Sequence, residues 1–185
     1  GLSAGLVANA LVSTVMMATL VVGPFYLSRA LGLDAATVGA VMAVGPVISA
    51  FSGVPAGRTV DRFGASAMVG GGLVAMTAGC LALSVLPGLL GVAGYVAALA
   101  VLAPGYQLFQ AANNTAVMTG VGPDRKGVVS GLLSLSRNLG LITGASVMGT
   151  VFALAAAADD VATAGPDAVA AGMRIAFTVG ADETP

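Results

Sequence analysis

Residues 2–27 read LSAGLVANALVSTVMMATLVVGPFYL and contain no charged side chain. A helix rises about 1.5 Å per residue, so about 20 apolar residues cross the roughly 30 Å hydrocarbon core of a bilayer. Barrel strands would instead show short segments of alternating polarity, whereas a helix satisfies all its backbone hydrogen bonds within one long run. This segment is therefore predicted to be a transmembrane helix.

The same pattern recurs along the rest of the chain. Further apolar runs predict spanning helices at residues 37–56, 66–86, 89–118 and 128–158, and a sixth from residue 169 that polar residues interrupt after 181. We therefore predict one all-α integral membrane domain over residues 1–185, with about five complete transmembrane helices and a truncated sixth. The interruption suggests that the sequence is part of a longer chain.

Composition supports a membrane protein and argues against several other classes. The chain is 57% hydrophobic and 8% charged, whereas soluble domains carry about 25% charged residues. It has no histidine, and Cys80 is its single cysteine, so it offers no internal disulfide and no histidine or cysteine metal site. It contains no run of basic residues, which argues against nucleic-acid binding. We expect no enzyme activity and no cofactor.

Most charged residues lie in the predicted connections. The connections around residues 58–62 and 124–126 hold four basic residues, whereas the opposite connections hold one basic and four acidic residues. Because basic loops stay in the cytoplasm, we expect the connections around residues 58–62 and 124–126 on the cytoplasmic side of the cell (plasma or inner) membrane. The amino terminus of the chain would then also start inside.

Three pairs of glycines are spaced to lie on one face of a helix. These pairs are predicted to let neighbouring helices approach closely, which is how helices associate where the hydrophobic effect gives no help. A second hypothesis is that these glycines permit helices to slide against each other between conformational states. The residues are Gly53 and Gly57, Gly127 and Gly131, and Gly140 and Gly144.

Polar side chains inside the predicted spans form the candidate binding site. Such residues are costly in lipid and face a cavity or another helix. Arg137 lies about 15 Å beyond Gly127, close to mid-depth. Two interpretations remain open: the residues bond to other helices, or they line a substrate cavity. The candidates are Asn9, Gln107, Gln110, Asn113, Asn114 and Arg137, with Ser13 one turn beyond Asn9.

One connection carries a recognisable motif, Gly57-Arg58-Thr59-Val60-Asp61-Arg62-Phe63-Gly64. It is similar to the loop signature of the major facilitator superfamily, although Ala65 and Ser66 stand where basic residues usually follow. The stretches 113–118, 123–127 and 130–140 extend the similarity over nearly the whole chain. Together they resemble the C-terminal half of a transporter of this superfamily, especially the fourteen-helix drug:proton antiporters.

The resemblance implies that Gly57, Arg58, Asp61, Arg62 and Gly64 form a conformational switch. A carboxylate beside the positive end of a helix dipole is stabilised, so Asp61 is predicted to contact the start of the fifth helix near Gly127. This contact would break when the cytoplasmic side opens. The alternative is a solvated loop whose arginines contact lipid headgroups.

The resemblance also implies a function. It implies half of a secondary transporter that exports drug-like or other small hydrophobic compounds by alternating access, coupled to protons. Its partners would be the lipid bilayer, the N-terminal half of the same transporter and the substrate. No complete span here holds an acid, so the proton-coupling acid is expected in the other half. The alternative is a non-transporting interaction protein or a self-assembling truncated relative.

Overall fold

The computed structural model describes residues 2–155, and every regular element in that range is helical. Helix α1 (Leu2–Phe25) continues into a π-helical turn at Tyr26–Ala30. Helices α2 (Ala35–Phe63), α3 (Ala65–Met118) and α4 (Lys126–Ala155) follow, and a 3-10 turn at Pro123–Arg125 precedes α4. Within residues 2–155, three helical segments are long and apolar enough to cross a membrane, namely Leu2–Ala30, Ala35–Phe63 and Ala65–Met118.

Helix α3 is a hairpin of two antiparallel legs rather than one rod. Its 54 residues are interrupted at Gly91, whose φ of 57° and ψ of −132° are not helical. The first leg, 65–90, packs against the second leg, 92–118, so closely that glycines replace larger side chains at the contacts. A Cβ added to Gly79 would lie 2.8 Å from Leu102 Cα, and one added to Gly72 would lie 2.6 Å from the backbone nitrogen of Phe109.

Several helix ends differ from those predicted. The segment 57–63 was expected to be a loop but forms the last two turns of α2, because Gly64 alone makes the turn into α3 with a φ of 87°. The break between the third and fourth predicted helices lies at Gly91, a few residues beyond the Pro87-Gly88 pair. Pro87 stays helical in α3 and does not end the first leg. The first leg ends at Gly91, whose positive φ is accessible to glycine. The predicted sixth helix, 169–181, lies outside the described residues.

Because successive helices run in opposite directions, several helix ends meet at one end of the bundle. The end of α2, the start of α1 and the turn between α3 and α4 all lie here, since Leu2, Ser66 and Gly120 line one cavity. We call this the basic end, because Arg58, Arg62, Arg125 and Lys126 cluster near these helix termini. Helices α1 and α4 run parallel from it.

The core lies between α1 and the two legs of α3. Its fully buried side chains include Val15 of α1, Met76 of the first leg, and Tyr95 and Phe109 of the second leg. By contrast, α2 and α4 expose much of their apolar surface: Phe51 is 80% exposed and Val128 is 66% exposed. These two faces are suited to lipid or to other transmembrane helices.

Candidate functional site

A polar cavity of about 270 Å³ lies between α1, α4 and the second leg of α3. It extends from the basic end toward the middle of the bundle, since Met118 ends α3 and Arg137 lies three turns into α4. Six of its eight lining residues are polar, although the surrounding helices are apolar. The lining residues are Asn9, Gln110, Asn114, Met118, Ser130, Leu133, Ser134 and Arg137.

Asn9 forms the buried back of the cavity. Its side chain is 1% exposed, and its Nδ2 donates a hydrogen bond to Leu133 O at 2.9 Å. Its Oδ1 is buried and accepts no hydrogen bond from the described residues. An unsatisfied buried acceptor is costly, so this oxygen is available to a donor from a ligand or from water in the cavity.

The other polar residues approach the cavity from two helices. Gln110, on the second leg of α3, donates from Nε2 to Tyr106 Oη at 2.8 Å, which fixes its side chain. Asn114 lies one turn further toward the basic end and is exposed. Arg137 is also exposed, and its guanidinium makes no ion pair or hydrogen bond within residues 2–155.

The structure separates the candidate residues predicted from sequence. It brings Asn9, Gln110, Asn114 and Arg137 together, but two other candidates do not line this cavity. Asn113 is 2% exposed and donates from Nδ2 to Gly5 O at 3.1 Å, so it ties α3 to α1. Gln107 is half-buried and lies about one turn further from the basic end than Gln110, beyond the lining of this cavity.

Two serines that line the cavity were absent from the predicted set. Ser130, Ser134 and Arg137 are spaced by four and three residues, which places them on one face of α4. This spacing could have been recognised in the sequence. Ser13, by contrast, donates to Asn9 O within its own helix at 2.7 Å and does not line the cavity.

The glycine pairs have different environments. A Cβ added to Gly140 would overlap Ala10 O and lie 2.9 Å from Ala10 Cα, and one on Gly144 would lie 2.5 Å from Thr14 O. This pair therefore forms the close contact between α1 and α4. The other two pairs do not pack as expected within residues 2–155, because a Cβ would meet nothing within 4 Å at any of these positions: Gly53, Gly57, Gly127 and Gly131.

The charged motif residues Arg58, Asp61 and Arg62 lie exposed at the basic end. Arg62 stacks its guanidinium over the Phe63 ring at 5.3 Å, and Asp61 makes no hydrogen bond or ion pair with any described residue. The proposed contact between Asp61 and the start of α4 near Gly127 is absent from this arrangement. Helices α2 and α4 lie on different sides of the bundle, since α2 packs mainly on α3 and α4 mainly on α1.

Acids are absent from the middle of the described helices. The three acids in residues 2–155 are Asp34, Asp61 and Asp124, and each lies at a helix end or in a turn. Asp34 caps α2 by accepting hydrogen bonds from the Thr37 side chain and backbone, which lower the pKa of its carboxyl. The cavity therefore has a cation, amides and hydroxyls, but no described carboxylate.

Comparison with known proteins identifies the family. The sequence pattern of the Major Facilitator Superfamily matches residues 2–158. The chain belongs to the Major Facilitator Superfamily. The prediction of an all-α membrane fold of this superfamily is thereby confirmed.

Two known transport proteins show detectable similarity to the chain. The chain is 30% identical over 125 residues to the uncharacterized transporter YebQ of Escherichia coli, covering 68% of this chain and 27% of YebQ. It is 28% identical over 127 residues to the multidrug efflux pump LfrA of Mycolicibacterium smegmatis, covering 69% of this chain and 25% of LfrA. The chain thus spans about a quarter of the length of the relatives it matches.

Proposed function

We propose that this chain forms part of a proton-coupled efflux transporter for drug-like or other small hydrophobic compounds, working by alternating access in the cell membrane. The observation that carries the proposal is the polar cavity. Asn9, Gln110 and Arg137 come from three different helices and meet at one site inside an otherwise apolar bundle. Polar groups at membrane depth mark substrate pathways.

The cavity suits alternating access because half of its lining residues, Asn114, Ser130, Ser134 and Arg137, are exposed. Its volume of about 270 Å³ is slightly below the roughly 300–1,000 Å³ of sites for drug-sized ligands. Substrate sites in this class of transporter lie between two halves that rock against each other. A second half, placed against the exposed faces of α2 and α4, would complete the site.

Proton coupling would then depend on a group outside the described helices. Buried carboxylates serve as proton carriers because desolvation raises their pKa, and residues 2–155 contain none at mid-depth. We therefore assign the coupling acid to the other half. The switch motif would contact that half as well, because Asp61 is exposed and does not reach α4.

The alternative is a non-transporting protein that associates through its helix faces. It is favoured by the free glycines at 53, 57, 127 and 131, which leave room for another helix. An immunoblot of the native cells separates the two. A band two to three times heavier than 17.8 kDa supports a transporter with a second half, whereas a band at that mass supports the alternative.

The transport proposal is tested with the protein expressed from its full gene in cells that lack other drug exporters. Inverted vesicles from these cells are given a pH gradient, and uptake of hydrophobic fluorescent dyes, namely the cation ethidium and neutral and acidic dyes, is followed by their fluorescence. We expect uptake that requires the gradient and is lost on adding an uncoupler. Vesicles that behave like those of the empty vector, for ethidium and for neutral and acidic dyes, would refute transport.

A further inference from the structure

The polar cavity has a second cavity next to it, and we call the joint lining of the two cavities the binding wall. The second cavity, of about 180 Å³, lies further from the basic end between α1, α2 and the second leg of α3. Met16 in its wall lies seven residues, or about 10 Å, beyond Asn9 on the same face of α1. On α3, Tyr106 lines the second cavity and Gln110 lines the first, and the hydrogen bond of 2.8 Å between them joins the two.

The two cavities have opposite character. The second cavity is lined mainly by apolar groups, among them Met16, Met42 and Leu99. Its one buried, unsatisfied polar atom among the described residues is Thr19 Oγ1, in a residue that is 5% exposed. The first cavity is polar and contains Arg137, the only charged group among the described residues that line either cavity.

The charge of Arg137 decides which ligand the wall fits. A guanidinium near mid-depth needs a partner, and no described residue supplies one. Its planar fork of N–H donors matches the two oxygens of a carboxylate or sulfonate. A cationic ligand would instead meet a like charge in the same cavity, with no acid in the described lining to offset the repulsion.

We propose that this wall binds an anionic amphiphile, with its acidic head at Arg137 and Gln110 and its apolar tail in the cavity beside Met16 and Met42. This inference rests on the proposed transport function and specifies its substrate class. The separation of about 10 Å along α1 sets the distance between head and tail. Thr19 offers a hydrogen bond to a polar group within the tail.

The head is tested with two matched fluorescent probes, dansyl-undecanoate and the dansyl-undecyl-trimethylammonium cation. Uptake of both is measured in inverted vesicles that contain the protein expressed from its full gene. In Arg137→Gln we expect uptake of the carboxylate to fall about tenfold or more, because a charge-assisted bond is lost. Uptake of the cation should stay level or rise, because a like charge is removed from the cavity. Arg137→Lys should restore part of the carboxylate uptake.

Arg125→Gln is the matched control, because it removes the same charge from the exposed turn before α4. It should leave both uptakes unchanged, and membrane abundance of each variant is measured by immunoblot. Uptake of the cation alone by the wild type would overturn the anionic assignment while transport stands. An equal fall for both probes in Arg137→Gln, at normal abundance, would also overturn it. Uptake of neither probe, with no ethidium uptake, would refute transport itself.

The tail is tested by filling the apolar cavity. Gly45 lines it, and a Cβ added there would meet no described atom closer than Leu99 Cδ1 at 4.0 Å, so Gly45→Leu adds volume without a backbone clash. We expect uptake of dansyl-undecanoate to fall several-fold relative to a dansyl carboxylate with a two-carbon chain. Gly39→Leu makes the same change on α2 outside the cavity and should not alter this ratio. An unchanged ratio in Gly45→Leu would overturn the tail assignment.

Discussion

Gly140→Ala should weaken the contact between α1 and α4, although alanine is the better helix former. A Cβ at this position would overlap Ala10 O, so the two helices must move apart. Overpacking of this kind costs about 1–3 kcal/mol. Separation also stretches hydrogen bonds across the contact, among them those from Thr14 Oγ1 to Gly140 O (3.1 Å) and from Asn9 Nδ2 to Leu133 O (2.9 Å). Interhelical bonds in membranes average about 0.6 kcal/mol each.

The gain from replacing glycine in a helix offsets about 1 kcal/mol of this loss. The net expectation is a fall in the free energy of unfolding of about 1–3 kcal/mol. Gly131→Ala is the matched control on the same helix, because its Cβ would meet no described atom within 4 Å. That variant should be as stable as the wild type or more stable by up to about 1 kcal/mol.

Unfolding of the protein expressed from its full gene is followed by circular dichroism as sodium dodecyl sulfate is added to mixed micelles. The midpoint should fall for Gly140→Ala and stay or rise for Gly131→Ala. The same midpoint for the two variants would refute the argument that α1 and α4 meet at Gly140. Ligand binding at the polar cavity should also weaken in Gly140→Ala, because Asn9 both donates a hydrogen bond to α4 and lines this cavity.

Three further changes test the fold. Gly91→Ala should lower the free energy of unfolding by about 1–3 kcal/mol, because its backbone angles suit only glycine, whereas Gly88→Ala should not. Gly79→Leu should reduce the amount of folded protein recovered by size-exclusion chromatography, since its Cβ would press on the other leg of α3. Hydrogen bonds from Thr37 lower the pKa of Asp34. The wild type should therefore be more stable than Asp34→Ala, as measured by the free energy of unfolding. This difference should be full above pH 3.8 and decline as the pH falls through the lowered pKa.

The helical membrane fold could be predicted because the length and polarity of a run decide it locally. The breaks between helices could not be placed as well. Pro87 and Gly88 look like a turn, yet proline is tolerated in membrane helices when neighbours satisfy the freed backbone groups. The chain instead turns at Gly91, which has a positive φ. Nothing local in the sequence distinguishes this glycine from its neighbours, because the packing of the two legs decides where the turn lies.

The candidate cavity was predictable only in part, for a related reason. Helical spacing placed Gln107, Gln110 and Asn114 near one face of α3, but which part of that face meets α1 and α4 depends on how the helices pack. The glycine pairs show the same dependence, since identical spacing gives a close contact at Gly140 and none at Gly131 within residues 2–155. Spacing defines a face, and the partner of that face is a tertiary property.

The packing of the helices and the lining of the two cavities are linked in this bundle through α1. One face of this helix carries Asn9 and Met16, which line the two cavities, and Ala10 and Thr14 beside them contact the glycines of α4. A parallel, glycine-mediated contact holds α1 and α4 together with little side-chain volume between them. A ligand head bound to Arg137 would thus act directly on α4, and its tail on α1 and α2. Binding of one amphiphile would therefore bias the relative positions of α1, α2 and α4, and the outer faces of α2 and α4 are exposed.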